Sequence, residues 1–179
     1  MKRIAVLDTS LISTWLKIQR QFDLFELLPN IAEYALVPQK VVEEIARHSP
    51  EGERPEGRQR FLDSITDAHG FYRLCTTIDA VILNEISTLP KVDPGEAEAL
   101  AQNSVVQADW ILMDDKASIL EKVFPQVSFH NSIVILEIMN QAGLLPDAKN
   151  TFAALHTVRA FGSKHKAKAL KKAQQWLQL

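Results

Sequence analysis

The sequence predicts an α/β fold in three layers, a central parallel sheet flanked by helices, and three observations carry that prediction. Ile4-Ala5-Val6-Leu7 and Trp110-Ile111-Leu112-Met113 are continuous apolar runs too short for helices, as expected of strands buried on both faces. Segments with apolar residues at helical spacing lie between such runs, and this alternation favours parallel strands joined by crossover helices. A chain of 179 residues that is 46% hydrophobic is large enough to close a core around such a sheet.

The first run leads into Asp8-Thr9-Ser10, three residue types suited to a helix N-cap, and Leu11, Ile12, Trp15, Leu16 and Ile18 then recur at helical spacing. A short helical stretch follows over Asp23 to Leu28. Tyr34 to Val37 reads as a second strand, stopped by Pro38, and Lys40 to Ala46 as a helix with Val41, Val42 and Ile45 on its apolar face. Ser49 to Gly57 is rich in Pro, Gly and Glu and reads as an exposed loop, from which a helix beginning near Gly57 runs on through Phe61 to Asp67. Phe71 to Thr76 is a candidate strand, and Ala80 to Ser87 a helix ended by Leu89-Pro90. Asp93-Pro94-Gly95 opens an Ala-rich helix from Glu96 to about Val106, with Ala97, Leu100, Ala101 and Val105 as its buried stripe. Trp110 to Met113 is a strand, Asp114-Asp115 its end, and a helix begins near Lys116. Val127 to Phe129 reads as a last short strand before a helix from Ser132 to Ala142, which Gly143 is placed to end. Beyond Pro146 two helices are expected, Ala148 to Phe161 and Lys164 to Leu179, separated by Gly162. The expected organisation is therefore one α/β domain over 1–146 and a helical extension over 147–179 packed on it.

Composition narrows the function. Cys75 is the only cysteine, so an intrachain disulfide is excluded and a reducing compartment fits. No apolar run approaches a membrane span and the N-terminus lacks a signal-like apolar region, so the expected location is cytoplasmic. Charge is uneven: residues 1–147 carry 13 Lys/Arg against 22 Asp/Glu, whereas 148–179 carry 7 Lys/Arg and no acid. An acidic body with a basic tail suits a metal-holding protein that meets a polyanion, although such a tail equally serves as a solvated helix complementing the body.

The acids carry the chemistry. Open α/β sheets bind ligands beyond the carboxyl ends of their strands, where Asp8, Asp114 and Asp115 stand. If their strands are neighbours, the carboxylates repel one another unless a cation neutralises them, and an all-oxygen set suits Mg²⁺ or Mn²⁺. Each acid also has a plain structural use, since Asp8, Asp114 and Asp115 are placed to cap the helices that follow them and Glu96 and Glu98 favour a helix dipole.

Taken in order, the motifs resemble those of the PIN-domain ribonucleases, in particular the toxin-type (VapC-like) branch. Ile4 to Ile12 looks like the family's opening strand with its metal-binding Asp, and Val37-Pro38-Gln39-Lys40-Val41-Val42-Glu43-Glu44-Ile45 is similar to its P-x-x-V-x-x-E pattern, with the acid at Glu44. Gly95-Glu96-Ala97-Glu98-Ala99 resembles the third motif and Ile111-Leu112-Met113-Asp114-Asp115 the fourth. The resemblance implies a PIN-like three-layer fold and metal-dependent hydrolysis of RNA. It assigns Asp8, Glu44, Glu96 and Asp115 as catalytic metal ligands, with Asp114, Glu98 and Asn131 as secondary candidates. It also implies an antitoxin partner and homodimerisation. Lys164, Lys166, Lys168, Lys171 and Lys172, with Arg58 and Arg60, are the candidate phosphate contacts. Two other readings compete: a PIN-like binding module without catalysis that acts through a protein partner, and a Mg²⁺-dependent phosphoryl-transfer protein. The latter wants a second Asp where Ser10 stands.

Overall fold

The computed structural model describes residues 3–19, 21–47, 55–66, 69–90, 92–115 and 117–158. Its strands are β1 (Arg3–Leu7), β2 (Ala32–Pro38), β3 (Ile65–Thr66), β4 (Tyr72–Cys75), β5 (Trp110–Leu112) and β6 (Phe129–His130). Its helices are α1 (Thr9–Ile18), α2 (Leu24–Leu27), α3 (Gln39–Arg47), α4 (Pro55–Asp63), α5 (Ala80–Ser87), α6 (Pro94–Val106), α7 (Ala117–Val123), α8 (Ser132–Gln141) and α9 (Ala148–Val158). The strands form one sheet in the order β3-β4-β2-β1-β5-β6, and every pair is parallel. The expected α/β sheet flanked by helices is the fold observed.

Side-chain alternation along each strand sorts the core into two layers. Ala5, Leu7, Ala35, Val37, Trp110 and Leu112 face one side, against Trp15 and Leu11 of α1, Phe25 of α2, Phe61 of α4, Ile135 and Leu136 of α8, and Phe152 of α9. Val6, Leu36, Ile111 and Met113 face the other, against Ile86 of α5, Ala97 and Leu100 of α6 and Leu120 of α7. The first layer is stapled by aromatic edges: the ring of Trp15 meets Phe25 at 5.3 Å and Phe61 meets Tyr72 at 5.2 Å. The Tyr72 hydroxyl donates to the Phe25 carbonyl at 2.7 Å, so the buried polar tip of that ring is satisfied.

The chain builds outward from β1 in both directions, to β2 and β4 on one side and to β5 and β6 on the other. The sheet order therefore reverses between β1 and β5, where parallel sheets open a crevice at the strand ends. Leu7 is registered with Leu112, and the Asp8 amide donates to the Leu112 carbonyl at 2.9 Å, so the ends of β1 and β5 are level.

Several expectations need correcting. The helix expected through Asp67 stops at Asp63, and Ile65–Thr66 instead forms an edge strand parallel to β4, too short to show an alternation in sequence. β2 runs through Pro38, paired with Cys75; a proline missing its N–H is tolerated as the last residue of a strand. The stripe expected on α6 fails at Val105, which is 45% exposed. Gly95 to Gln102 are buried on every side instead, because the first turns of α6 are enclosed by α3, α5 and the sheet while its last turn emerges. The final strand is Phe129–His130, displaced past Val127. The second C-terminal helix and its lysines lie outside the described residues, as does most of the loop after α3.

Trp15 is fully buried and its indole N–H donates to Ser132 Oγ at 2.9 Å. Trp15→Ala is expected to cost about 3–5 kcal/mol through the cavity it leaves, read as a lowered urea midpoint.

Candidate metal centre

At the switch point Asp8 has two local duties. Its backbone leaves β1 in an extended conformation to N-cap α1, and its Oδ2 accepts the Ser10 amide at 2.9 Å and the Ser10 hydroxyl at 2.5 Å. The carboxylate is 3% exposed. Burial pushes its pKa up, the Ser10 hydrogen bonds oppose that shift, and the neighbouring Glu44 charge reinforces it.

Ser10 Oγ, while donating to Asp8, accepts the amides of Asp114 at 2.9 Å and Asp115 at 3.2 Å. One donated and two accepted bonds are what a hydroxyl can make. This clasp ties the turn after β1 to the turn after β5.

Glu44 approaches from α3, and its Oε2 accepts the Thr9 hydroxyl at 2.5 Å. Its carboxylate lies against Gly95 in the first turn of α6, where an added Cβ would stand 3.1 and 3.3 Å from its two oxygens. Glycine permits that close approach, and a Cβ there would press the carboxylate back by a few tenths of an ångström. Glu96, next along, is 4% exposed and forms a capping box with Asp93, its Oε2 accepting the Asp93 amide at 2.9 Å. These carboxylates and Asp115 line one cavity of about 350 Å³, together with Thr9, Ser10, Ser13, Thr14, Lys17, Gly95 and Val158.

Asp8, Glu44, Glu96 and Asp115 are thus brought to a single cleft, whereas the secondary candidates are not. Glu98 points to α3, where its Oε2 accepts the Lys40 amide at 2.6 Å and serves as a cap supplied by another helix. Asp114 accepts the amide of Ser132 at 2.7 Å and its hydroxyl at 2.8 Å, anchoring the start of α8. Asn131 N-caps the same helix by accepting the Val134 amide at 3.1 Å. Glu43, beside Glu44, instead pairs with Lys40 at 3.3 Å and Arg47 at 3.4 Å. Arg60 lines a separate pocket beside Phe25 and Tyr72, and Arg58 is not among the cleft residues. Lys164, Lys166, Lys168, Lys171 and Lys172 lie outside the described residues.

The sequence reading missed Asp93, Ser13 and Lys17 as cleft residues. Asp93 had a signal in the Asp-x-x-Glu spacing of a capping box. Ser13 and Lys17 had a weaker one, a polar stripe with Ser10 and Thr14 at helical spacing on an otherwise apolar helix.

A family model described as a PIN domain matches residues 4–175. The chain is a PIN-domain protein. No curated protein matches it significantly. PIN domains are a nuclease-type family that typically uses divalent metals. Among the described residues no helix is long and apolar enough to cross a membrane.

The cleft fits such an ion in its chemistry. Its donors are carboxylates and hydroxyls, the hard oxygen set that Mg²⁺ and Mn²⁺ take with water. Asp8, at the centre, is buried with no described cation paired to it. Among the described residues no three acidic, histidine or cysteine side chains form a close metal-ligand cluster, so the PIN domain's carboxylates share the cavity without converging on one point.

Two outcomes follow. Because the folded Asp8 carboxyl holds its proton more tightly than in the unfolded chain, its contribution to stability is present at pH below the ordinary aspartate range and is lost as pH rises through its raised value. Asp8→Asn is therefore expected to raise the melting temperature in EDTA at neutral pH, with the gain over wild type closing as the buffer is acidified. Ser10→Ala leaves two backbone amides and Asp8 without their shared partner and is expected to cost about 1–3 kcal/mol in chemical denaturation.

Proposed function

We propose that this PIN-domain protein is a metal-dependent endoribonuclease that hydrolyses RNA phosphodiester bonds with Mg²⁺ or Mn²⁺. The observation that supports it is the meeting of Asp8, Glu44, Glu96 and Asp115, from widely separated parts of the chain, in one cavity at the sheet's switch point. In this reading those four carboxylates hold the ion, directly or through water, and Ser10 and Thr9 orient Asp8 and Glu44. When bound, the ion supplies an acidified water and stabilises charge on the phosphate. The Asp93–Glu96 capping box fixes the start of α6, so Glu96 enters the cleft at a set height. Burial of Asp8 and Glu96 strengthens the attraction of these two carboxylates for a cation.

The motif resemblance extends the proposal to the toxin of a toxin–antitoxin pair, with an antitoxin protein as partner, a homodimer as the working form and the C-terminal lysines contacting RNA. The competing reading is a binding module that has the fold without catalysis and acts through a protein partner.

The test is cleavage of single-stranded RNA, with single-stranded DNA alongside, in Mg²⁺ or Mn²⁺. Wild type is expected to cut RNA, EDTA to abolish the activity, and Asp8→Asn to lower it at least about 100-fold. Equal rates for the two proteins, or activity surviving EDTA, would overturn the metal-site reading; inactivity of both selects the binding module.

A further inference from the structure

The cleft is acidic, yet one of its walls is not. Ser10, Ser13, Thr14 and Lys17 line it from α1, at the i, i+3, i+4 and i+7 spacing that places residues on one helix face. Two of them are committed to the fold. Ser10 holds the clasp between the strand ends, and Thr14, buried, donates its hydroxyl to the Ser10 carbonyl at 2.8 Å. Ser13 and Lys17 are half-buried neighbours one helical turn apart, and among the described residues neither makes a hydrogen bond or an ion pair. The carboxylates of Asp8, Glu44, Asp93, Glu96 and Asp115 share the cavity, and Lys17 pairs with none of them within the described structure. An ammonium in an acidic cleft, with a free hydroxyl beside it, has the donors to take an anion that arrives with the substrate.

We propose that Ser13 and Lys17 form a second phosphate subsite, which holds the backbone of a single nucleic-acid strand at a phosphate flanking the one in the carboxylate centre. The inference rests on the nuclease reading and adds the direction in which the strand lies, along α1. Ser13 and Lys17 stand five and nine residues beyond Asp8, about 8 and 14 Å of helix rise. Consecutive phosphates of an unpaired strand are spaced by nearly twice the ~3.4 Å axial rise of a duplex strand, so the phosphate that reaches them is about one or two nucleotides from the centre. Lys17 supplies charge and Ser13 a directed donor. Neither reads a base, so the subsite sets affinity and register and leaves sequence preference alone. The competing role for Lys17 is to complement the C-terminal dipole of α1, in whose last turn it sits. That role would make it matter to stability and not to the strand.

The experiment measures binding of a labelled single-stranded oligoribonucleotide by fluorescence anisotropy in Mg²⁺ across a KCl series. It compares Asp8→Asn with Asp8→Asn/Lys17→Ala and Asp8→Asn/Lys17→Arg, so binding is read whether or not the strand is cut. Melting temperatures establish that each variant is folded. Removing Lys17 is expected to flatten the slope of log K against log salt by about 0.7, the share of one phosphate on a single strand, and arginine to restore it. A set of oligomers, each with one phosphate replaced by a neutral methylphosphonate, then locates the contact. At one position neutralisation weakens binding to the Lys17 protein about two- to fivefold and does nothing to the Lys17→Ala protein. Ser13→Ala is expected to reduce the effect at that same position. An unchanged salt slope, a loss spread evenly over all oligomers, or no binding by the Lys17 protein overturns the subsite. Failure of wild type to cut RNA while the Lys17-dependent slope persists overturns the nuclease reading and leaves the subsite standing.

Discussion

A carboxylate buried at the end of a strand has to be held, and the way Asp8 is held organises much of what surrounds it. Burial disfavours its charge, and the compensation on hand is local: the amide and hydroxyl of Ser10. That same hydroxyl takes the amides of Asp114 and Asp115, so one oxygen joins the two strand ends at the reversal of the sheet. The turn after β1 cannot shift without moving the turn after β5. Trp15 extends the tie, since its indole donates to Ser132, which Asp114 holds. From Asp8 through Ser10 and Asp114 to Ser132 and Trp15, a continuous polar path runs from the cleft into the aromatic core.

The acids divide into those that hold helices and those that face the cleft, and some do both. Glu98, Asp114 and Asn131 spend their acceptors on backbone amides at helix starts. Asp8 and Glu96 each accept a backbone amide at a helix start and also line the cavity. The cap is thus compatible with a ligand role. Gly95 completes the arrangement by letting Glu44 lie against the first turn of α6, where the helix dipole favours a negative charge.

Much of this architecture was legible in the chain. Apolar runs of strand length alternating with helices favour a parallel sheet, and the two that end on an acid, at Asp8 and Asp114, put carboxylates at its C-terminal edge. The edge strand β3 was not legible, because a two-residue strand has no period and exists only by pairing with β4. The exposure of Val105 was hidden for a related reason: what covers a helix face depends on which elements stop short of it.

The sequence by itself determined the order of acids, the strand–turn–helix units that carry them and the family resemblance those units bear. The resemblance already favoured Glu44 over Glu43, Glu96 over Glu98 and Asp115 over Asp114; only the tertiary structure decided that the favoured three share a cleft with Asp8 and what holds the other three elsewhere. The physical reason is that spacing along the chain fixes where these acids stand but not which donor each one meets. What separates them is an amide or ammonium brought from elsewhere, Lys40 and Arg47 for Glu43, the Lys40 amide for Glu98, Ser132 for Asp114. Those partners meet only when the chain has folded.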